Sequence, residues 1–161
     1  MANDKMYMNF IWKDYCELYQ EKVELLFDDD AIRFTGCDEG FKAFFDYWWE
    51  ELGAESFFCK VIFHNECLMG VVALAKSDDE VFTIQEIAIS SEYRGRGYGT
   101  LLLKELLTSS SRIIGQDIHI AEAVIFPQNI ASQRAFSKAG FNYSRTHPDG
   151  DALYYQYTST Y

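Results

Sequence analysis

Three glycines fall within five residues, at Gly95, Gly97 and Gly99, between an apolar run and a leucine-rich run. Glycine loses more backbone entropy on folding than any other residue, so this repetition needs a structural reason. The preceding run, VFTIQEIAIS over 81–90, is mostly apolar and β-branched and predicts a central strand. The following run has helical spacing to about Ser110. A glycine-rich loop between a strand and a helix brings backbone N–H groups and the helix N-terminus to one point, which is typical of a phosphate site.

The side chains around these glycines favour an anion site without identifying the anion. Arg94 and Arg96 add positive charge to an otherwise acidic protein, and Thr100 adds a hydroxyl at the first helical turn. Thr100 also stands where the dinucleotide fingerprint GxGxxG requires its last glycine, and the GK[ST] of a P-loop is absent. On this loop alone, a tight turn with solvated arginines is the favoured alternative.

Charge is distributed unevenly along the 161 residues, whose net charge of −11 argues against nucleic acid as a partner. Residues 1–55 carry 14 acidic and 5 basic side chains, a net of −9, whereas the remainder carries a net of −2. Such an acidic segment either attracts a cationic ligand or forms a solvated face. The length predicts one domain over 1–161, and no stretch predicts a signal peptide or a membrane span.

The cysteines and histidines predict neither a disulfide framework nor a metal site. The three histidines lie too far apart for metal-ligand spacing. Cys59 and Cys67 could face each other across a hairpin, but scattered free thiols in a cytoplasmic protein are the favoured interpretation. The four cysteines are Cys16, Cys37, Cys59 and Cys67.

Hydrophobic periodicity predicts an α+β fold around a mixed, mostly antiparallel sheet, with parallel pairing where a helix intervenes. The predicted strands cover 6–12, two arms of a hairpin within 56–76, 81–90, 117–126, and a closing hairpin around Pro148 to Gly150. The predicted helices cover 13–27, 41–52, the run after the glycines and 129–140, with a turn-rich break over 28–40.

Two motifs together resemble the GNAT superfamily of N-acetyltransferases. Arg94, Gly97 and Gly99 match that family's R/Q-x-x-G-x-G/A loop between a strand and a helix. The segment NIASQRAFSKAGF resembles its second hallmark, and the two motifs are one strand apart. The matching positions of the second motif are Asn129, Ser132, Phe136, Lys138, Gly140 and Phe141. The resemblance is specific from about Phe82 to Phe141 and weak over residues 1–55.

The resemblance implies a single acetyltransferase domain that uses acetyl-coenzyme A as co-substrate and no metal. Loop N–H groups would hold the pyrophosphate, and the end of the preceding strand would separate from its neighbour and pair with the pantetheine arm. A backbone N–H near Ala88 or Ile89 would face the thioester oxygen. The implied cofactor-binding residues are Ile87, Ala88, Ile89, Arg94, Gly95, Arg96, Gly97, Tyr98, Gly99, Thr100, Asn129, Ser132, Arg134 and Phe136.

The same resemblance frames the chemistry, in which a neutral primary amine attacks a thioester. Glu86 is the predicted base, and the alternative is that its carboxylate is paired with an arginine. The family can also place an acidic base at the position of Thr83, but a threonine there cannot act as one. Many members place a tyrosine at the position of Phe136 to protonate the leaving thiolate, and phenylalanine cannot do so. Tyr98, or one of the tyrosines in YYQY, could substitute.

The predicted activity is therefore acetylation of an amine, with a cationic acceptor expected from the acidic segment. A degenerate acyl-coenzyme A-binding module with little catalysis is the alternative. A small molecule or a peptide amine is the expected partner, a nucleic acid or a membrane is not, and a homodimer stays open.

Overall fold

The computed structural model describes residues 9–33 and 41–160, so Cys37 and the first residues of the predicted strand over 6–12 lie outside the described residues. The strands are β1 (Ile11–Asp14), β2 (Phe57–His64), β3 (Cys67–Lys76), β4 (Val81–Ile89), β5 (Ile120–Ile125), β6 (Asn142–Thr146) and β7 (Leu153–Thr158). The α-helices are α1 (Gln20–Glu24), α2 (Asp29–Arg33), α3 (Phe41–Glu51), α4 (Tyr98–Thr108), α5 (Ser110–Ile114) and α6 (Ile130–Lys138).

One sheet holds all seven described strands in the order β1-β2-β3-β4-β5-β7-β6. Every pair is antiparallel except β4 and β5, between which α4 and α5 intervene in the chain. This pairing follows the rule that parallel neighbours need a crossover connection. The predicted fold class, a mostly antiparallel mixed sheet flanked by helices, is confirmed.

The sheet buries an apolar core on each face. On one face, Leu102 of α4 and Phe136 of α6 lie in a cluster with Phe82 of β4. On the other, Val23 of α1 and Trp48 of α3 lie in a cluster with Val71 of β3. The acidic N-terminal segment and the glycine loop therefore approach the same strands from opposite faces.

Three local differences from the predicted elements have physical causes. The helix predicted over 13–27 begins later, because Lys13 and Asp14 pair with β2 and continue β1. A turn-rich break was predicted over 28–40, but α2 occupies 29–33, where Asp28 Oδ1 accepts the N–H of Ala31 at 3.0 Å. Cys59 pairs with Ala73 rather than with Cys67.

None of the described helices combines the length and the apolar character needed to cross a lipid bilayer.

Candidate active site

The central strands β4 and β5 separate partway along their length. Their pairing runs from Val81 with Ile120 to Ile84 with Ala123 and stops there. Strand β4 nevertheless continues to Ile89, so its last five residues face an open gap. The separation that the family resemblance implies for this strand end is present.

A β-bulge at Gln85 precedes the gap. On the other edge of β4, Ala73 pairs with Glu86 and Leu74 pairs with Ile84, which leaves Gln85 without a partner in the β3 ladder. Ile84 lies in the core under α4, whereas Ala88, three positions after the bulge, lies in the core on the α1–α3 face. An extra residue in a strand re-aims the side chains that follow it. Glu86 shares the parity of Ala88 and is thereby directed toward the acidic N-terminal segment.

Backbone alternation decides which N–H groups face the gap. The N–H of Ser90 donates to Met69 O at 2.8 Å, so Ser90 belongs to the ladder with β3. Because successive residues of a strand direct their polar groups to opposite edges, Ala88 also faces β3. The N–H groups of Ile87 and Ile89 then face the gap, and Ile89 is the better candidate for contact with a thioester oxygen.

The loop after β4 offers an open concave backbone. Gly95 and Gly97 have φ values of 73° and 84°, and a Cβ added at either would meet no atom within 4 Å. Gly97 is also the N-cap residue of α4. Gly99 serves a different purpose, because a Cβ there would lie 3.3 Å from Ile89 Cδ1. The first two glycines keep space for a ligand, and the third lets α4 approach β4.

A cavity of about 710 Å³ connects these features. It extends from Asp30 and Ala31 of α2, past the end of β4, to the glycine loop and α6. Of the predicted site residues, it is lined by Glu86, Ile87, Ala88, Ile89, Arg94, Gly95, Gly97, Tyr98, Gly99, Thr100, Asn129, Ser132, Arg134 and Phe136. Arg96 does not line it, and its Nη1 donates instead to Glu92 O at 3.3 Å.

Arg94 uses its guanidinium differently from the predicted phosphate contact. Its Nη1 donates to both carboxylate oxygens of Asp28, at 2.8 and 3.0 Å. Its Nη2 donates to Leu26 O at 3.1 Å, and its Nε donates to Ile89 O at 2.9 Å. Its backbone N–H closes a turn onto Ser91 O at 3.4 Å. The N–H groups left to face an anion are therefore those from Gly95 onward.

The second motif forms the start of α6. Asn129 caps this helix, since its Oδ1 accepts the N–H of Ser132 at 3.1 Å. Phe136 is buried and packs edge to face on Phe141, with ring centroids 4.9 Å apart. Arg134 is exposed at the cavity rim.

Glu86 is the titratable group at the gap whose ionisation is most altered by its surroundings. Burial raises the pKa of its carboxyl to about 8, although the adjacent Ile87 N–H opposes the shift. No described residue forms a salt bridge with this carboxylate, so the ion-paired alternative is not what the structure has. A carboxyl that titrates near neutral pH suits proton transfer. Beside it, Gln85 Nε2 donates to the Tyr47 hydroxyl of α3 at 3.1 Å.

Several cavity contacts from the N-terminal segment are not evident in the sequence, namely Asp30, Ala31 and, through Gln85, Tyr47. The Asp28-x-x-Ala31 cap was available as a helix-start signal, but three consecutive aspartates are also typical of a loop. The pairing of Asp28 with Arg94 joins residues 66 positions apart, and no local pattern announces it.

Comparison with known proteins gives concordant results. A model of the acetyltransferase (GNAT) family matches residues 9–141. The L-2,4-diaminobutyric acid acetyltransferase of Halalkalibacterium halodurans is 34% identical over 88 residues, which are 53% of this chain and 45% of that relative. The match thus spans less than half the length of the relative.

Solved structures agree on the fold. The spermidine N-acetyltransferase from Vibrio cholerae in complex with coenzyme A and spermine superposes with a TM-score of 0.75 at 14% identity, covering 92% of this chain and 95% of that one. AAC(6')-Ib in complex with ribostamycin and coenzyme A superposes with a TM-score of 0.74 at 20% identity, covering 93% of each chain. Because the family model spans the sheet, the glycine loop and the second motif, this chain belongs to the GNAT acetyltransferase family.

Proposed function

We propose that this chain transfers the acetyl group of acetyl-coenzyme A to a primary amine of a small cationic acceptor. The observation that carries the proposal is the gap between β4 and β5, which opens beside both Glu86 and the glycine loop. One cavity thereby joins an anion-binding backbone to a carboxyl with a raised pKa. The two substrates of such a reaction need these opposite environments.

The residues present fit coenzyme A. The open space above Gly95 and Gly97 accommodates a pyrophosphate against loop N–H groups and the N-terminus of α4. The free backbone edge at Ile87 and Ile89 can pair with an extended amide-containing arm as a further strand would. Ser132 and Arg134 approach from α6, and the bound thioester supplies the activated acetyl group.

Glu86 is the proposed base. A primary amine with a pKa of roughly 10 is mostly protonated at neutral pH and must lose its proton before it attacks. In its ionised form, which becomes more abundant as the pH rises toward a pKa of about 8, Glu86 accepts that proton, directly or through a water molecule. The amine nitrogen then bonds to the acetyl carbon while the carbon–sulfur bond breaks, and Ile89 N–H donates to the oxygen on which charge develops.

A cationic acceptor is supported by the N-terminal end of the cavity. Asp30 lines it, and the segment over 1–55 carries a net charge of −9. Diaminobutyric acid and spermine, named with the related proteins, both carry amines.

The second candidate function is a coenzyme A-binding module with little catalysis. Phe136 favours it, because no hydroxyl stands at that position to protonate the leaving thiolate. Tyr98 lines the cavity and offers a hydroxyl in its place, and a thiolate with a pKa of roughly 8.5 can also leave unprotonated.

Release of free thiol from acetyl-coenzyme A separates the two. We expect turnover with at least one of L-2,4-diaminobutyric acid, spermidine and kanamycin, and coenzyme A binding by calorimetry. Binding without thiol release for any amine would favour the module, and absence of binding would contradict both functions.

The setting proposed for this activity is the cytoplasm, within one domain over 1–161. Cys16, Cys59 and Cys67 are free thiols among the described residues, as suits a reducing compartment. A homodimer is compatible with the fold, and the net charge of −11 disfavours nucleic acid.

A further inference from the structure

Arg94 ties together three separate parts of the chain near the gap. Its guanidinium bonds to Asp28 before α2, to Leu26 O after α1, and to Ile89 O at the end of β4. The pair with Asp28 is partly shielded, since the two side chains keep 32% and 40% of their accessible surface. Hydrogen bonds from Arg94 lower the pKa of the Asp28 carboxyl, which is therefore ionised at neutral pH.

The same aspartate also starts α2. Its Oδ1 accepts the N–H of Ala31, and its backbone oxygen accepts the N–H of Ile32 at 2.9 Å. Ala31 and the neighbouring Asp30 line the cavity. Asp28 thus connects the wall at the acceptor end to the residue that begins the glycine loop.

We propose that Asp28 is a positioning residue for acetyl transfer: through Arg94 it couples the cavity wall formed by α2 to the glycine loop, so that coenzyme A binding orders the acceptor end. The inference rests on the proposed function, since it requires coenzyme A at the loop. Coupling of this kind is reciprocal: if coenzyme A binding favours the ordered α2, the ordered α2 strengthens coenzyme A binding by the same factor. A variant that breaks the link at Asp28 therefore loses both effects.

Electrostatics alone predicts the opposite sign for one variant. Coenzyme A is anionic, so removal of a negative charge near its site should tighten binding. Asp28→Asn would also release the guanidinium of Arg94 to meet the phosphates. The coupling instead predicts weaker binding, because the loop loses its charged contact with Asp28 at the start of α2. Asparagine keeps the cap on Ala31, since its Oδ1 still accepts that N–H.

Calorimetry with coenzyme A is the first test. We expect the dissociation constant to rise at least fivefold in Asp28→Asn and in Arg94→Gln, with the double variant no worse than the weaker single variant. Asp29→Asn is the matched control, because it removes the same charge one residue away on an exposed position, and it should stay within twofold of the wild type. Unchanged or tighter binding in Asp28→Asn overturns the proposal.

Hydrogen exchange at saturating coenzyme A is the second test, and it separates coupling from a merely structural role. We expect the amides of Ala31 and Ile32 to exchange at least threefold more slowly on ligand addition in the wild type and in Asp29→Asn. In Asp28→Asn the slowing should disappear although the ligand is bound, and Asp28→Glu should restore part of it. Retained slowing in Asp28→Asn would mean direct contact with the ligand and would overturn the proposal. A wild type that shows no binding and no protection at residues 95–100 would instead overturn the proposed function itself.

Discussion

At one end of the cavity the ligand-facing groups are backbone N–H groups of β4, the glycine loop and α4, whereas at the other end they are side chains from α2 and the bulged part of β4. The first set depends on glycines and strand separation, which a short stretch of sequence specifies. The second depends on contacts across the sheet, such as that between Gln85 and Tyr47. In this molecule, local sequence determines the backbone shape at the glycine loop, whereas contacts between distant residues determine where the polar side chains of the acceptor end lie. Variants at the two ends should therefore fail in different ways.

Glu86→Gln should give the largest effect and should leave the loop end intact. We expect kcat to fall by about 10²-fold or more, because the amine loses its proton acceptor, with coenzyme A affinity unchanged. Steady-state kinetics and calorimetry check both. Glu122→Gln is the control, since Glu122 is a half-buried carboxylate on β5 outside the cavity. A Glu86→Gln variant with the kcat of the wild type would show that Glu86 is not the base.

Protonation of Glu86 should also affect stability. An ordinary glutamate titrates near pH 4.5, and this one titrates at about 8. Between those values the folded protein holds a proton that the unfolded chain has released, so the free energy of unfolding should fall as pH rises. Urea unfolding between about pH 5 and 8 should show that the free energy of unfolding decreases with pH. Glu86→Gln should make this decrease smaller. The same pH dependence in the wild type and in Glu86→Gln would show that a group other than Glu86 causes it.

Gly97→Val should affect the loop end alone. A side chain there enters the space open to the pyrophosphate, so coenzyme A affinity should fall at least tenfold, about 1.4 kcal/mol. Gly53→Val is a matched control, because Gly53 also has positive φ, 94°, with no atom near an added Cβ. Both variants should lose similar stability in thermal unfolding, yet only Gly97→Val should lose binding. Equal affinities of Gly97→Val and the wild type for coenzyme A would show that the pyrophosphate does not bind at this loop.

Asp30→Lys should sharpen the comparison from the acceptor end. For a cationic acceptor, kcat/KM should fall several-fold at low salt, because the variant loses the negative charge that attracts the acceptor. The salt dependence of kcat/KM should also weaken, because salt acts by screening that attraction, over roughly 8 Å at physiological ionic strength. Asp79→Lys makes the same charge change in the exposed turn between β3 and β4, at the far end of the sheet. Asp28 is unsuitable for this reversal, since it is paired with Arg94. If the wild-type kcat/KM does not depend on salt, the acidic segment is a solvated face that does not attract the acceptor.

Phe136→Tyr should give the smallest effect. If a hydroxyl at this position protonates the leaving thiolate, kcat should stay equal or rise by a few-fold, with unchanged coenzyme A affinity. Phe141→Tyr adds the same hydroxyl in the same apolar cluster but away from the cavity, and it controls for the cost of a buried hydroxyl. Loss of coenzyme A binding in Phe136→Tyr alone would show that Phe136 packs against the ligand.

Much of the fold was predictable from the sequence because it rests on local signals. The run before Gly95 forms a strand, Gly97 starts α4, and the closing hairpin turns near Gly150, as periodicity and turn residues indicate. The family is confirmed, and with it, at the level of the family, the acetyltransferase class and acetyl-coenzyme A as the acyl donor. The roles of Glu86 and of the loop residues stay predictions.

Two of the three features that the sequence did not reveal depend on distant partners. Asp14 lies within the helix predicted over 13–27, but its pairing with Lys60 on β2 makes it part of β1. Arg94 looks like a phosphate ligand until the fold brings Asp28 against it. Three aspartates resemble a loop unless Ala31 is seen to use the first of them as a cap. In the first two cases the deciding contact joins distant parts of the chain, beyond any local pattern. The cap on Ala31 is local, and there the loop preference of three consecutive aspartates concealed the helix start.

The bulge at Gln85 also governs how this chain can vary by inheritance. Substitutions along β4 change one side chain at a time, but loss of one codon at Gln85 would restore regular alternation across the whole strand end. Because Glu86 would then follow Ile84 directly, Glu86 and Ala88 would keep the α1–α3 face, and Ile87 and Ile89 would keep the α4 face. Loss of Glu86 itself would instead move Ile87 and Ile89 to the acceptor side, because each residue after the deletion would take the opposite face. We expect descendants of this gene to tolerate insertions and deletions in the exposed turns and to retain the number of residues from Glu86 to Ile89.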